Sequence, residues 1–333
     1  MLRRPYPARS ILMQRFQVSE DSMRPTLVPG DEFVVTESRQ AAVGDVVALR
    51  HPAREDFWLV KRVGGGPGER VDGRGPLGPD EAWVVSDNPE VAASDSRSFG
   101  PIPISTLRPM VTRLDESTFY EAVDLLVSEE PVFAAVIEGH GAPPFWSRSA
   151  GFATLVWLIM EQQVSLESGA AMYRRLHGLL GAVTPATVAG STESALRGIG
   201  VTRQKAAYLL ELGQSVVGGV LDLDALAALP LSEARDALLA VKGIGPWTAD
   251  VYLLSALRFP DVFPLGDRAL QVGAGEVLGM TSTPNGDELE ILSLPWRPIR
   301  AAAARIIWHA YLGSRGRVEP PDPTAGHGVA RPA

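Results

Sequence analysis

Two sets of residues in this chain have the types and spacing to do chemistry. In the second half, Gly243-Ile244-Gly245 joins two apolar runs in LLAVKGIGPWTADVYLL, and a later loop ends in a lone carboxylate, Asp267. Glycines let a backbone approach a ligand without Cβ obstruction. Pro246 at a helix start leaves N–H groups facing outward, which suits an anion such as a DNA phosphate. An acid about one helix later can stabilise positive charge developing at a sugar carbon. In the first third, Ser22 in EDSMRPTLVPGD and Lys61 in FWLVKRVGGGPGE form the second set. A serine needs a base to become a nucleophile, and a desolvated lysine can be neutral near pH 7 and take that proton. Lys61 follows the apolar run 57–60, as at the end of a half-buried strand.

The elements that must hold these residues differ between the two parts. RFQV, EFVVTE, DVVALR, FWLVKRV and AWVVSDN are short β-branched or aromatic runs, separated by turn-forming PGD, VGD, GGGPGE and DGRGPLGPD. From Ser117 the period becomes helical, in runs such as STFYEAVDLLVSE, GFATLVWLIMEQQ, RQKAAYLLELGQSVV and RAAAARIIWHAYL. The sequence therefore predicts a multidomain chain: a β-rich domain over 1–115, an all-α domain over 116–313, and a Pro/Gly-rich tail, 314–333, without periodicity and disordered.

Length agrees with two domains, since 333 residues exceed one ordinary core. There is no cysteine, which excludes disulfides, thiolate metal sites and cysteine nucleophiles. The net charge of −8 argues against broad phosphate-driven binding, but not against a site built from backbone N–H groups and a few arginines. Of 31 basic residues only three are lysines, Lys61, Lys205 and Lys242. The apolar stretches 11–13 and 151–160 are too short for a signal peptide or membrane span. A soluble, cytoplasmic, monomeric protein without membrane contact is expected.

The first segment resembles the S26 signal-peptidase family over about residues 15–110. SMRPTLVPGD matches its nucleophile box, VKRVGGGPGE its lysine box and SDNPEVAASDSRSFGP its downstream box. The likeness is nearest to the small soluble members associated with nickel-superoxide-dismutase maturation. It implies Ser22 as nucleophile, Lys61 as general base, and Asp95, Ser96 and Arg97 in support, acting on a polypeptide substrate. Ser86 departs from the family, which usually has glycine there.

The helical segment, about 118–313, resembles the helix-hairpin-helix DNA glycosylases of the 3-methyladenine DNA glycosylase II kind. The matching stretches are FWSRSAGFATLVWLIMEQQVS, GIGVTRQKAAYLLEL, LLAVKGIGPWTADVYLL, PLGDRALQ and LPWRPIRAAAARIIWHAYL. The resemblance implies double-stranded DNA with damaged bases as partner and flipping of the damaged nucleotide into a pocket. Asp267 is then the catalytic group, and it is also suited to cap the helix beginning at Arg268. Gln162, Gln163, Lys242, Gly243, Gly245 and Thr248 would meet DNA, with Gln163 where some members place an apolar wedge.

Trp247 stands where bifunctional members carry a Schiff-base lysine, so a monofunctional enzyme that leaves an abasic site is expected. Cationic alkylated purines stack on indole and phenol faces. Trp146, Trp157, Trp247, Tyr252, Trp296 and Trp308 are the rings available, with Trp247 and Tyr252 assigned to the base pocket. Arg297 and Arg300 are phosphate contacts or internal salt bridges. The family needs no redox cofactor or catalytic metal, and its hairpin carbonyls can hold K⁺ or Na⁺. The alternative reading is an S26-type serine endopeptidase that matures a precursor protein, with the helical part as a DNA-binding module.

Overall fold

The computed structural model describes residues 12–71, 73–91, 94–318, 322 and 324. They fall into two compact units, one up to residue 130 together with 297–299, and one comprising 131–296 and the chain from 300 onward.

The first unit is built on antiparallel strands. β1 (Met13–Gln17) and β2 (Glu32–Thr36) form a ribbon in which Phe16 lies opposite Phe33. β3 (Val46–Arg50), β4 (Trp58–Gly65), β5 (Glu81–Val85), β6 (Ile102–Pro103) and β7 (Arg108–Pro109) make a five-stranded sheet of order β6-β5-β4-β3-β7. Alternation along β3 sends Val47 and Leu49 into one apolar cluster with Leu59, Val63 and Val84. Val46 and Ala48 enter another, with Met23, Phe33 and Val35. Such two-sided burial is what the near-continuous apolar strand VVALR requires.

A one-turn helix, α1 (Ser96–Phe99), packs beside β5, capped by Asp95. The helix α2 (Glu116–Glu129) packs against β1 and starts with a capping box between Asp115 and Thr118. Its Glu121 accepts a buried hydrogen bond of 2.5 Å from the Thr36 hydroxyl on β2. That bond and the β1 contact place α2 with the strands, so the compact unit ends at 130 and not where the periodicity changes.

The second unit is all helix: α3 (Pro131–His140), α4 (Phe152–Glu161), α5 (Leu166–Leu180), α6 (Pro185–Ala189), α7 (Glu193–Gly198), α8 (Arg203–Val217), α9 (Leu223–Leu226), α10 (Leu231–Leu239), α11 (Pro246–Ser255), α12 (Arg268–Val277), α13 (Gly286–Ser293) and α14 (Arg300–Gly313). Side-chain oxygens of Ser165, Thr184, Thr192, Thr202, Asp222, Asp267 and Asn285 cap seven of these starts. That is the sequence punctuation at work. α4 is apolar on every side and packs against α5, α8 and α11 as the central helix. Trp157 on α4 and Tyr173 on α5 are fully buried, and Trp296 packs between Phe133 and Phe263.

α12 and α14 approach closely because α12 presents Gly273. A Cβ there would lie 3.0 Å from Ile307 Cγ2 on α14. No helix among the described residues is long and apolar enough to cross a membrane. Of the tail expected to be disordered, 319–321, 323 and 325–333 lie outside the described residues. Thr324 is buried, and its N–H and hydroxyl both donate to Asp322.

Candidate functional site

The hairpin between α10 and α11 is fixed by Gly243, whose φ is +101°. A Cβ at this glycine would fall 2.4 Å from Cγ of Tyr208, so both conformation and packing exclude a side chain. A Cβ at Gly245 would meet nothing within 4 Å, so that part of the turn lies open. Lys242 is exposed beside it, and α11 begins with Pro246.

Gln162 and Thr248, expected to meet DNA, hydrogen-bond each other, and Gln162 also bonds the turn. The Gln162 amide donates to the Gly243 carbonyl and to Thr248 Oγ1, each at 2.9 Å. Thr248 is 1 % exposed. The pair braces the turn from within. Gln163, Val164 and Ser165 are the exposed positions on that loop, and Gln163 is held at φ +59°, which is uncommon for a residue with a side chain. Val164 follows it on the wall of a cavity.

That cavity, about 280 Å³, lies among α4, α5, α11, α12 and α14. Trp146, Trp247, Trp308 and Tyr311 supply its aromatic faces, and Arg148, Glu161, Glu167, Asp267, Arg305 and Arg317 its charge. Asp267 caps α12 by accepting from Leu270 N at 2.7 Å. The same Oδ1 accepts from Trp308 Nε1 at 3.0 Å, and Oδ2 accepts from Trp247 Nε1 at 2.7 Å. Three donors, two of them indoles on the cavity wall, therefore fix the carboxylate plane. Trp247 is thus both a cavity face and a ligand of the acid.

Tyr252 does not line the cavity. It is fully buried, its hydroxyl accepts from Gly151 N at 2.9 Å, and burial pushes its pKa up to about 12. The cavity positions on α11 are Trp247, Val251, Leu254 and Ser255. Trp157 and Trp296 are likewise core, whereas Trp146 and Trp308 reach the cavity.

Arg148 and Glu161 form a nearly buried ion pair at 2.9 Å, with the guanidinium 3.8 Å above the Trp157 ring. Arg305 donates to the Trp146 carbonyl and lies over the rings of Trp146 and Trp308. Arg300 grips Asp261 through two nitrogens at 2.8 and 2.9 Å, an internal salt bridge. Among the described residues no lysine lines the cavity. Lys205 is buried, with Nζ donating to Met160 O at 2.7 Å, and burial lowers its pKa.

The other set meets in the β-rich unit. A one-turn helix at Asp21–Met23 presents Ser22, and Lys61 projects from β4. Lys61 Nζ lies 3.0 Å from Ser22 Oγ and 2.9 Å from Val60 O. The two residues are 2 % and 6 % exposed. Burial holds the Lys61 amine below the usual lysine range, and the Asp95 charge is the largest opposing influence. A small recess beside the pair, about 100 Å³, is walled by Phe16, Val18, Phe33, Phe57 and Leu59.

Asp95, Ser96 and Arg97 hydrogen-bond to neither member of the pair, although the charges of Asp95 and Arg97 act on Lys61. Burial pushes the Asp95 carboxyl up. Hydrogen bonds from the Arg97 side chain and N–H and from Ser86 N outweigh it and hold the carboxyl low. Ser96 Oγ accepts from Val84 N at 2.9 Å, so this helical turn satisfies N–H groups along one edge of β5.

Two residues that residue-type reasoning passed over hold the serine turn. Asn88 N donates to Ser22 O and Asn88 Nδ2 to Asp21 O, each at 3.0 Å. Asp87 accepts from Arg62 and Thr26. Their signal was present in the Ser-Asp-Asn start of the downstream box.

Comparison with known proteins follows this division. Residues 156–298 match the family described as HhH-GPD superfamily base excision DNA repair protein. Residues 6–77 match signal peptidase, peptidase S26. A DNA-3-methyladenine glycosylase of Bacillus subtilis (strain 168) is 27 % identical over 169 residues, covering 47 % of this chain and 56 % of that protein. The chain thus spans little more than half of that relative. Mitochondrial inner membrane protease subunit 1 of Schizosaccharomyces pombe is 35 % identical over 116 residues, 30 % of this chain and 71 % of that one. Among solved structures, a DNA-3-methyladenine glycosidase from Bacillus halodurans aligns with a TM-score of 0.51 at 28 % identity. It covers 60 % of this chain and 92 % of that one.

Proposed function

Since the chain belongs to the HhH-GPD superfamily of base excision DNA repair proteins through its helical segment, and to the S26 peptidases through its first segment, we propose that it is a monofunctional DNA glycosylase for alkylated purines of the 3-methyladenine type, carrying an appended Ser/Lys peptidase. The observation that carries the reading is the Asp267 carboxylate, clamped by Trp247, Trp308 and Leu270 on the wall of an aromatic cavity.

The mechanism follows from that clamp. The open face of the hairpin at Gly245 and the exposed Lys242 take phosphates, and the Gln163 loop enters the space left by the flipped nucleotide. The base stacks against the Trp247 and Tyr311 side of the cavity. As the C1′–N bond breaks, the sugar gains positive charge, and the fixed Asp267 anion stabilises it without having to reorganise. Water then attacks C1′, oriented by the same carboxylate. With no lysine on the wall, no Schiff base forms and an abasic site remains. The Val241 and Gly243 carbonyls each take one protein donor, which leaves a lone pair that K⁺ or Na⁺ could use.

The test is incubation of the full chain with duplex DNA carrying an alkylated purine. The reading expects base release and strand scission only after alkali. Scission without alkali would make the enzyme a lyase, and release of no base from any lesion would remove the reading.

A second activity is favoured by one distance, the 3.0 Å from Lys61 Nζ to Ser22 Oγ. In this part of the proposal Lys61 activates Ser22 to attack a peptide carbonyl, with a small apolar side chain seated in the adjacent recess. Cleavage of a candidate precursor by wild type and not by Ser22→Ala would support it, and equal cleavage by both would remove Ser22 from the role.

A further inference from the structure

β4 and β5 run antiparallel with Arg62 opposite Val85. Extending that register by one residue sets Lys61 opposite Ser86. Burial alternates in step: Leu59, Lys61 and Val63 are buried on β4, and Ala82, Val84 and then Ser86 on the other chain. Opposite residues of an antiparallel pair point to the same face, so the Ser86 and Lys61 side chains share the interior.

Both backbones are pinned there. Ser86 N donates to Asp95 Oδ2 at 3.1 Å, and Lys61 is held by β3, with Val47 opposite. Yet the Ser86 hydroxyl, in a residue 9 % exposed, has no hydrogen-bond partner. A buried unpaired hydroxyl is a cost that glycine or alanine would avoid, so its presence calls for a reason. The lysine nitrogen offers one. Besides Cε it has three tetrahedral directions, and Ser22 Oγ and Val60 O take two of them.

We propose that Ser86 is a positioning residue for Lys61, its hydroxyl turning to occupy the third direction of Nζ during the peptidase cycle. This rests on the reading of Ser22 and Lys61 as a catalytic pair. In the acylation step the Ser22 Oγ–H proton passes to the Nζ lone pair while Oγ bonds the substrate carbonyl carbon. The carbonyl–nitrogen bond then breaks, its electron pair leaves with the amine, and Nζ returns the proton to that amine. Between those two transfers Nζ is an ammonium with three N–H donors, and Ser22 Oγ, now bonded to carbon, is a poor acceptor. Ser86 supplies the acceptor that keeps the ammonium from swinging away. Charged donors gain more from such a bond than neutral ones.

The chain has only three lysines, so Lys61 can be watched directly. The probe is NMR titration of lysine labelled at Cε and Nζ in the full chain, assigned with Lys205→Arg and Lys242→Arg. The other charges acting on Lys61 are Glu20, Asp87, Asp95 and Arg97, all unaltered in the variants. Ser86→Ala and Ser86→Gly should each lower the Lys61 midpoint by about one pH unit, a roughly tenfold change in its dissociation constant. Ser86→Thr, which keeps a hydroxyl, should stay near wild type. Wild-type backbone amide shifts for the β-rich unit, which holds Ser86 and Lys61, establish that each variant is folded there. An unmoved Lys61 midpoint in both Ser86→Ala and Ser86→Gly overturns the proposal. Ser22→Ala is titrated alongside. If Lys61 titrates as an ordinary lysine and ignores Ser22→Ala, the catalytic pair itself fails. If it responds to Ser22→Ala and not to Ser86→Ala, only the role of Ser86 fails.

Discussion

Trp247→Phe removes one hydrogen-bond donor to the acid and keeps an aromatic face in the cavity. The Trp247 indole is the donor to Asp267 Oδ2, at 2.7 Å. Oδ1 has two donors, Leu270 N at 2.7 Å and Trp308 Nε1 at 3.0 Å. A hydrogen bond to a charged group contributes about 1.5–3 kcal/mol. If that orientation is used in the transition state, its loss slows the chemical step by roughly 10- to 150-fold. Trp308→Phe leaves Oδ1 with its backbone donor, so only about half of that energy should be lost, and the slowing there should be about threefold to tenfold. The assay is single-turnover base release from a saturating alkylated duplex, which separates chemistry from product release. The expected order of rates is wild type, then Trp308→Phe, then Trp247→Phe. A Trp247→Phe rate within about twofold of wild type, or a defect confined to duplex affinity, would refute the claim that the indole orients the acid.

Three further outcomes follow from the same geometry. Gly243→Ala forces a side chain into a left-handed conformation and into the Tyr208 ring, so it should lower stability by about 1–3 kcal/mol in denaturant unfolding and weaken duplex binding. Glu161→Leu removes the carboxylate from the nearly buried Arg148 guanidinium and should cost about 3–5 kcal/mol by the same measurement, an unchanged midpoint contradicting it. Lys61 is held below the ordinary lysine range, so peptide cleavage should rise with pH through that lowered value. Because the unfolded chain binds more protons above it, the Lys61 contribution to stability should also rise with pH from the lowered value up to the ordinary lysine range. Lys61→Met should flatten both dependences.

Particular residues show how far the sequence could be read. The hairpin glycines, the cap-forming aspartate at 267 and the β-to-α change of period are local patterns, and local patterns survive in a string of letters. The choice of Tyr252 over Val251 for the cavity could not be made that way. α11 is buried from Thr248 to Ser255 on all sides, so its periodicity does not say which face meets the cavity. Thr248 and Gln162 look like surface polar residues, but they bond each other and the turn they support.

Trp308 lies 41 residues from Asp267, and only the close approach of α12 and α14 at Gly273 brings its indole to the carboxylate. Ser22 and Lys61 lie 39 residues apart, yet they were legible as a pair because each sits in its own recognisable box. The joining of α2 to the strands depends on the bond from Thr36 to Glu121 across 85 residues, which helical period does not record.

The most direct measurement of the central claim is single-turnover release of an alkylated purine by Asp267→Asn. The substitution keeps the shape of the side chain and an oxygen for the Leu270 cap while removing the negative charge. The account predicts loss of release by about 100-fold or more, with the variant still folded and still bound to duplex. Release at the wild-type rate would contradict it.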